Sequence, residues 1–161
     1  MGFVSSLSGS SLYIDTNIFI YAFEGFPEYA DKLRELFEAI DSGDVKAVTS
    51  ELTLAELLVK PFMDANTQRQ SFYRDTIQNS DLLSVCPVSR DILIEAARLR
   101  SISSLRLPDA IHFATASFAG CRFFLTNDRR ITSVMGIQVI ILSEAYRLLL
   151  STPFILASAS P

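Results

Sequence analysis

Four acidic side chains interrupt the apolar stretches of this chain: Asp15, Glu56, Asp109 and Asp128. Carboxylates that stand close together cannot all stay ionised without a cation, because like charges at short range oppose each other's ionisation. Oxygen ligands of this kind favour Mg²⁺ or Mn²⁺, and such ions generate hydroxide and neutralise charge in reactions at phosphorus. If the four acids converge in the folded chain, they therefore indicate metal-assisted phosphodiester chemistry.

Each acid also has a simpler local explanation. Asp15 and Asp109 stand where helices are predicted to begin, so either one could be a helix cap. Glu56 could pair with Lys60 one turn further along a helix, and Asp128 could belong to a turn. The choice between these interpretations depends on the elements that carry the four residues.

Short apolar strands alternate with helices along the whole chain, which predicts an α/β fold. Strands are predicted over 12–14, 45–49, 82–85, 122–126 and 138–142. Helices are predicted from about residue 16, over 28–40 and 50–60, from residues 89 and 107, and over 143–150, with a weakly patterned helical stretch at 61–79. If the strands are parallel with right-handed crossovers, their carboxyl ends share one edge of the sheet, where the four acids can meet.

The composition is that of one well-buried domain. The chain has 161 residues, 49% of them hydrophobic, and a mean hydropathy of +0.30, yet no apolar run is long enough to span a bilayer. Cys86 and Cys121 lie in apolar segments without ligand-like spacing, which predicts buried thiols in the reducing cytoplasm. The single histidine, His112, has no ligand-spaced partner either, so we predict a hydrogen-bonded core histidine outside the site.

Three short motifs and one isolated acid carry a family resemblance: Ile14-Asp15-Thr16-Asn17, Glu56, Asp109-Ala110-Ile111-His112 and Thr126-Asn127-Asp128. In this order and spacing the sequence resembles the PIN-domain family of metal-dependent ribonucleases, particularly the VapC-type toxins of toxin–antitoxin pairs. The resemblance implies a three-layer α/β/α fold with a four- or five-stranded parallel sheet. We expect the nuclease domain over 11–150, with a flexible lead over 1–10 and a tail over 151–161 on either side.

The same resemblance implies roles for individual residues. Asp15, Glu56, Asp109 and Asp128 would hold Mg²⁺ or Mn²⁺, and Thr16, Asn17 and Thr126 would support the metal through hydroxyl or outer contacts. The implied partners are an RNA substrate, an antitoxin protein whose peptide covers the site, and a second copy in a homodimer. The alternative is a catalytically silent PIN-fold module that acts through a protein partner, but such a module would normally lack some of the four acids.

The second half of the chain is rich in arginine, with eight arginines and no lysine over 89–161. Arg129 and Arg130 directly follow Asp128, so they could lie at the rim of the site and bind RNA phosphates. Exposed arginines are often ordinary surface residues, and that alternative stays open here.

Overall fold

Five parallel strands form one sheet at the centre of the protein. The computed structural model describes residues 2–133 and 136–145. Its strands are β1 (Ser11–Ile14), β2 (Lys46–Ser50), β3 (Leu83–Cys86), β4 (Phe123–Thr126) and β5 (Gln138–Ile141), in the spatial order β3-β2-β1-β4-β5. Every neighbouring pair is parallel, which confirms the predicted parallel sheet, and the described residues contribute five strands to it.

Helices cover both faces of this sheet. They are α1 (Thr16–Glu24), α2 (Ala30–Asp41), α3 (Glu51–Met63), α4 (Thr67–Thr76), α5 (Arg90–Ser101) and α6 (Leu107–Phe118). Side chains alternate between the two faces along β1: Leu12 and Ile14 pack with α1 to α4, whereas Tyr13 packs with α5 and α6. The predicted three-layer α/β/α architecture is therefore confirmed.

Local sequence signals explain where several helices begin and end. The side chain of Ser89 accepts a hydrogen bond from Ile92 N–H at 3.2 Å and caps α5, as predicted. Gly25 ends α1 in the left-handed region at φ 68°, a conformation that glycine adopts at little cost. The weakly patterned stretch at 61–79 resolves into the end of α3 and the whole of α4, because Asn66 caps a new helix by accepting from Arg69 N–H at 2.9 Å.

The amino-terminal segment differs from the flexible lead that we expected. Residues Phe3–Leu7 form a short 3₁₀ helix, and the side chains of Phe3 and Leu7 are buried in the core on the α1–α4 face. Burial of these two apolar side chains in the core holds the segment in place. The tail over 151–161 lies outside the described residues.

The carboxyl-terminal part of the described chain is short. Strand β5 leads directly into a 3₁₀ helix, Leu142–Glu144, and residues 146–150 of the helix predicted over 143–150 lie outside the described residues. In the part of the chain that the structure describes, no helix has the length and apolar character needed to cross a membrane.

Cys86 is half-buried and Cys121 buried, and burial raises the pKa of the Cys121 thiol to about 12.

Candidate active site

The parallel sheet brings the segments that carry the four acids to its carboxyl edge. Asp15 follows β1 and Asp128 lies two residues beyond β4, the neighbouring strand. Glu56 is on α3, which leaves β2 at the same edge, and Asp109 is in the first turn of α6. Hydrogen bonds and ion pairs link these residues into two pairs, Asp15 with Glu56 and Asp109 with Asp128, each bridged by other side chains.

Asp15 is both a helix cap and a buried residue of the sheet edge. One carboxylate oxygen accepts from Thr16 N–H at 2.8 Å at the start of α1. The other accepts from the Thr126 hydroxyl at 2.7 Å and from the Asn17 amide at 2.8 Å. Only 8% of the residue is exposed, and this burial raises the pKa of Asp15 despite its hydrogen bonds. The two interpretations of Asp15 are therefore compatible rather than exclusive.

Glu56 turns towards Asp15 instead of pairing with Lys60. Its carboxylate accepts hydrogen bonds from the Thr16 hydroxyl and from His112 Nε2, the latter at 2.9 Å. Lys60 instead lies 2.9 Å from Asp64, so the ion pair between Glu56 and Lys60 that we considered does not form. Burial alone would raise the pKa of Glu56, but the hydrogen bond and charge of His112 outweigh it and the pKa is lowered.

His112 belongs to this site, contrary to the sequence interpretation that placed it outside. It is buried and hydrogen-bonded, as predicted, with Nδ1 2.7 Å from the hydroxyl oxygen of Tyr13. Its other ring nitrogen contacts Glu56 and lies 3.9 Å from a carboxylate oxygen of Asp15. Burial would lower the pKa of His112, yet the hydrogen bond to Glu56 and the surrounding carboxylates raise it overall. The available signal was its position three residues after Asp109, on the same side of α6.

Asp109 and Asp128 are paired with arginines. One oxygen of Asp109 accepts from both the backbone N–H and the Nε–H of Arg106 at 3.2 Å. Arg106 is therefore the N-cap residue of α6, and Asp109 bonds it from the third helical position instead of being the cap itself. Asp128 accepts from Arg130 Nε–H at 2.9 Å and lies 4.0 Å from the Arg106 guanidinium. The hydrogen bond from Arg130 is the main reason why the pKa of Asp128 is lowered. Arg106 therefore joins the second pair of acids, a role that the sequence did not indicate.

Hydrogen bonds among Asn17, Thr126 and Asn127 connect the end of β4 to the start of α1. The Asn17 amide donates to the Thr126 hydroxyl at 3.0 Å, and its carbonyl oxygen accepts from Asn127 N–H at 3.1 Å. Asp128 N–H donates to the same Thr126 hydroxyl at 3.1 Å. These contacts fix the backbone that carries Asp15 and Asp128. The sequence singled out Asn17 and Thr126 but did not assign a site role to Asn127.

The chemistry of the donors suits a hard divalent cation, although their present arrangement does not form a metal cage. Among residues 2–133 and 136–145, no three His, Cys, Asp or Glu side chains are grouped closely enough to bind a metal ion. The four carboxylates instead accept from hydroxyl, amide, imidazole and guanidinium groups. Carboxylate and hydroxyl oxygens are the ligands that Mg²⁺ prefers, so the donor types fit such an ion.

Arg129 and Arg130 lie at the rim, as their positions suggested. Their side chains are 70% and 67% exposed, and each guanidinium faces a carboxylate. Arg130 pairs with Asp128, whereas Arg129 Nε lies 3.1 Å from Glu144. Both side chains are accessible to a ligand at the edge of the sheet.

Several solved structures of toxin and toxin–antitoxin proteins are similar in fold to this chain. A structure described as a toxin–antitoxin complex from Klebsiella pneumoniae aligns with a TM-score of 0.60 and 25% identity, over 83% of this chain and 98% of that one. VapBC2 from Rickettsia felis, bound to a promoter DNA fragment, aligns with a TM-score of 0.64 and 15% identity, over 81% and 98%. VapC20 from Mycobacterium tuberculosis, a sarcin–ricin loop cleaving toxin, gives 0.56 and 16%, over 70% and 86%.

The structures from Rickettsia felis and Mycobacterium tuberculosis are only 15% and 16% identical in sequence to this chain, so they support similarity of fold alone. No curated protein sequence matches the chain significantly. The sequence model of the PIN domain matches residues 12–137, a range that begins inside β1, contains β2, β3 and β4, and ends just before β5. The chain therefore belongs to the PIN domain family.

Proposed function

We propose that this chain is a metal-dependent endoribonuclease and the toxin of a toxin–antitoxin pair. The observation that carries the proposal is the position of Asp15, a buried carboxylate at the carboxyl edge of a PIN-domain sheet. Thr16 links Asp15 to Glu56, and the Thr126 hydroxyl links it to the backbone of Asp128. A similar fold occurs in a toxin–antitoxin complex and in a toxin that cleaves the sarcin–ricin loop. RNA hydrolysis is the activity that accounts for these features together.

In this proposal Asp15, Glu56, Asp109 and Asp128 hold Mg²⁺ or Mn²⁺. A cation bound there would supply hydroxide at neutral pH and neutralise charge on the scissile phosphate. Thr16, Asn17 and Thr126 orient the carboxylates through the hydrogen bonds described above. The guanidinium partners of Asp109 and Asp128 are more than 60% exposed, and exposed ion pairs of this kind are weak enough to yield to a bound cation.

The partners that we propose are an antitoxin protein, which would cover the carboxyl edge of the sheet, and a second copy of the chain in a homodimer. A silent module that only binds a protein partner is the second candidate. The presence of all four carboxylates favours catalysis, because a module without enzymatic function has no need to place four acids at one edge against their mutual repulsion.

Cleavage of a single-stranded or loop-containing RNA tests this function directly. We expect cleavage with millimolar Mn²⁺ or Mg²⁺, loss of cleavage in excess chelator, and fragments that carry a 5′-phosphate, because hydroxide attacks the phosphorus without help from the ribose 2′-hydroxyl. Full activity in chelator, or a 2′,3′-cyclic phosphate product, would contradict the proposed mechanism. Mn²⁺ binding without cleavage of any RNA tested would favour the silent module.

Arg129 and Arg130 are proposed to bind RNA phosphates at the rim. Replacing both with Ala should weaken RNA binding and reduce the slope of log affinity against log salt by about 0.7 for each phosphate that the variant no longer neutralises. Binding is measured in chelator, so that no RNA is cleaved and a change at Asp128 does not alter metal uptake. Arg122→Ala is the matched control, since Arg122 precedes β4 at the opposite edge of the sheet and should leave the slope unchanged. An unchanged slope in the double variant would assign Arg129 and Arg130 to ordinary surface.

A further inference from the structure

A buried hydrogen-bonded chain runs from the sheet to the candidate active site through two residues that the proposed reaction does not use. It begins at Tyr13 in β1, passes through His112 in α6 and ends at Glu56 in α3. Tyr13 is fully buried and His112 is 2% exposed. Three separate elements are therefore joined by two hydrogen bonds, of 2.7 Å and 2.9 Å, in the interior.

The hydrogen-bonding chemistry fixes the direction of the second contact. An ionised carboxylate can only accept, so His112 Nε2 must carry a hydrogen in order to bond Glu56. If the imidazole is neutral, its Nδ1 is then an acceptor and the Tyr13 hydroxyl donates to it. If the imidazole is charged, Nδ1–H donates to the Tyr13 oxygen. The Tyr13 hydroxyl can therefore bond Nδ1 in both charge states. When the hydroxyl donates to Nδ1, it favours the neutral tautomer that carries its hydrogen on Nε2.

The surroundings of Tyr13 and His112 make this arrangement rigid. The Tyr13 ring stacks on Phe124 with a centroid distance of 5.0 Å, and Phe124 stacks in turn on Phe113 at 4.5 Å, next to His112 in α6. Glu56, in contrast, is a long side chain with 34% of its surface exposed. Such a side chain loses conformational entropy when it is held in one place, so a fixed donor in the core lowers the cost of holding it.

We propose that Tyr13 and His112 are positioning residues, which hold Glu56 at the carboxyl edge ready to bind the cation. This inference rests on the proposed metal-dependent function. His112 acts through Glu56, and Tyr13 acts through His112 by fixing the ring and the hydrogen on Nε2. Outer hydrogen-bond partners of metal-binding side chains typically change metal affinity by about 10- to 100-fold when removed.

Three variants separate positioning from simple packing. His112→Leu fills the space but has no donor, His112→Gln keeps a donor that can bond Glu56, and Tyr13→Phe removes only the hydroxyl. We expect the Mn²⁺ affinity, measured by calorimetric titration without RNA, to fall about 10- to 100-fold in His112→Leu, to recover most of that loss in His112→Gln, and to fall several-fold in Tyr13→Phe. Thr115→Val is the matched control, because Thr115 is buried on the same helix and bonds the backbone of Ile111 instead of Glu56.

Each result decides between the possibilities. If His112 acts only through packing, the apolar Leu should bind Mn²⁺ as well as the wild type and Gln should be the worse substitute, which would overturn the positioning role. A second measurement combines His112→Leu with Glu56→Gln, and we expect the double variant to bind Mn²⁺ no more weakly than Glu56→Gln alone. Additive reductions in affinity would also overturn the inference. Wild-type protein that neither binds Mn²⁺ nor cleaves RNA would overturn the proposed function itself, and with it this role.

Discussion

Replacement of Asp15 by Asn is expected to lower the rate of RNA cleavage by about a thousandfold, the scale seen when one preorganised electrostatic contact is removed from an active site. It should also remove most of the stabilisation by Mn²⁺. A cation that binds only the native state adds about 2.7 kcal/mol to the free energy of unfolding at a hundredfold excess over its Kd. The measurement is four melting curves, of wild type and variant, each in chelator and in millimolar Mn²⁺.

In chelator we expect the two proteins to melt at nearly the same temperature, because two effects oppose each other. Asn has one oxygen where Asp15 uses two, so one hydrogen-bond acceptor for Thr16, Asn17 or Thr126 is removed. Against this, burial raises the pKa of Asp15, so ionisation of that side chain destabilises the metal-free protein and Asn avoids it. The result in chelator therefore says little about the metal, and the Mn²⁺-induced shift is the informative quantity.

The matched control for Asp15→Asn is Asp81→Asn, in the exposed loop before β3 at the opposite edge of the sheet. That variant should keep both the cleavage rate and the Mn²⁺-induced shift of the wild type. Equal shifts in wild type and Asp15→Asn would remove Asp15 from the metal site and leave it as the cap of α1 alone.

The largest effect on stability is expected from Phe124→Ala. Phe124 is fully buried in β4 and its ring lies between those of Tyr13 and Phe113. Truncating a buried Phe leaves a cavity and typically costs about 3–5 kcal/mol. For a chain of this size, a loss of about 4 kcal/mol lowers the melting temperature by roughly 12 °C. Denaturant titration of both proteins, followed by circular dichroism, measures the change.

Phe118→Ala provides the same chemical change at an exposed position. Phe118 ends α6 and is 60% exposed, so its replacement should alter the free energy of unfolding by less than about 0.5 kcal/mol. Similar losses of stability in the two variants would mean that the stack of Tyr13, Phe124 and Phe113 contributes no more than a surface ring. Such a result would also weaken the case that this stack holds Tyr13 rigidly beneath His112.

Most of the fold could be predicted from sequence because its signals are local. The apolar stretches of β1 and β4, the cap at Ser89 and the periodicity of α2 each depend on residues within a few positions of one another. The amino-terminal segment was harder to predict, since Phe3 and Leu7 become ordered only by burial in a core formed by residues far along the chain. Once the strands are parallel, their carboxyl ends share an edge, so the approximate position of the four acids also follows from sequence.

Some partners of those acids lie next to them in sequence, but the contacts that join one acid to another were decided by tertiary structure. The local pattern offered Lys60 as the partner of Glu56, yet Glu56 bonds His112, which is 56 residues away in sequence. The contact of Arg106 with Asp109 follows from their spacing of three residues, but its approach to Asp128, at 4.0 Å, depends on the packing of α6 against the sheet. A buried polar group must find a partner wherever the fold provides one, because leaving it without a hydrogen bond costs about 1–3 kcal/mol. The sequence by itself determined which residue types are available for chemistry, and the tertiary structure decided which of them touch, because that choice depends on contacts between elements that no local pattern encodes.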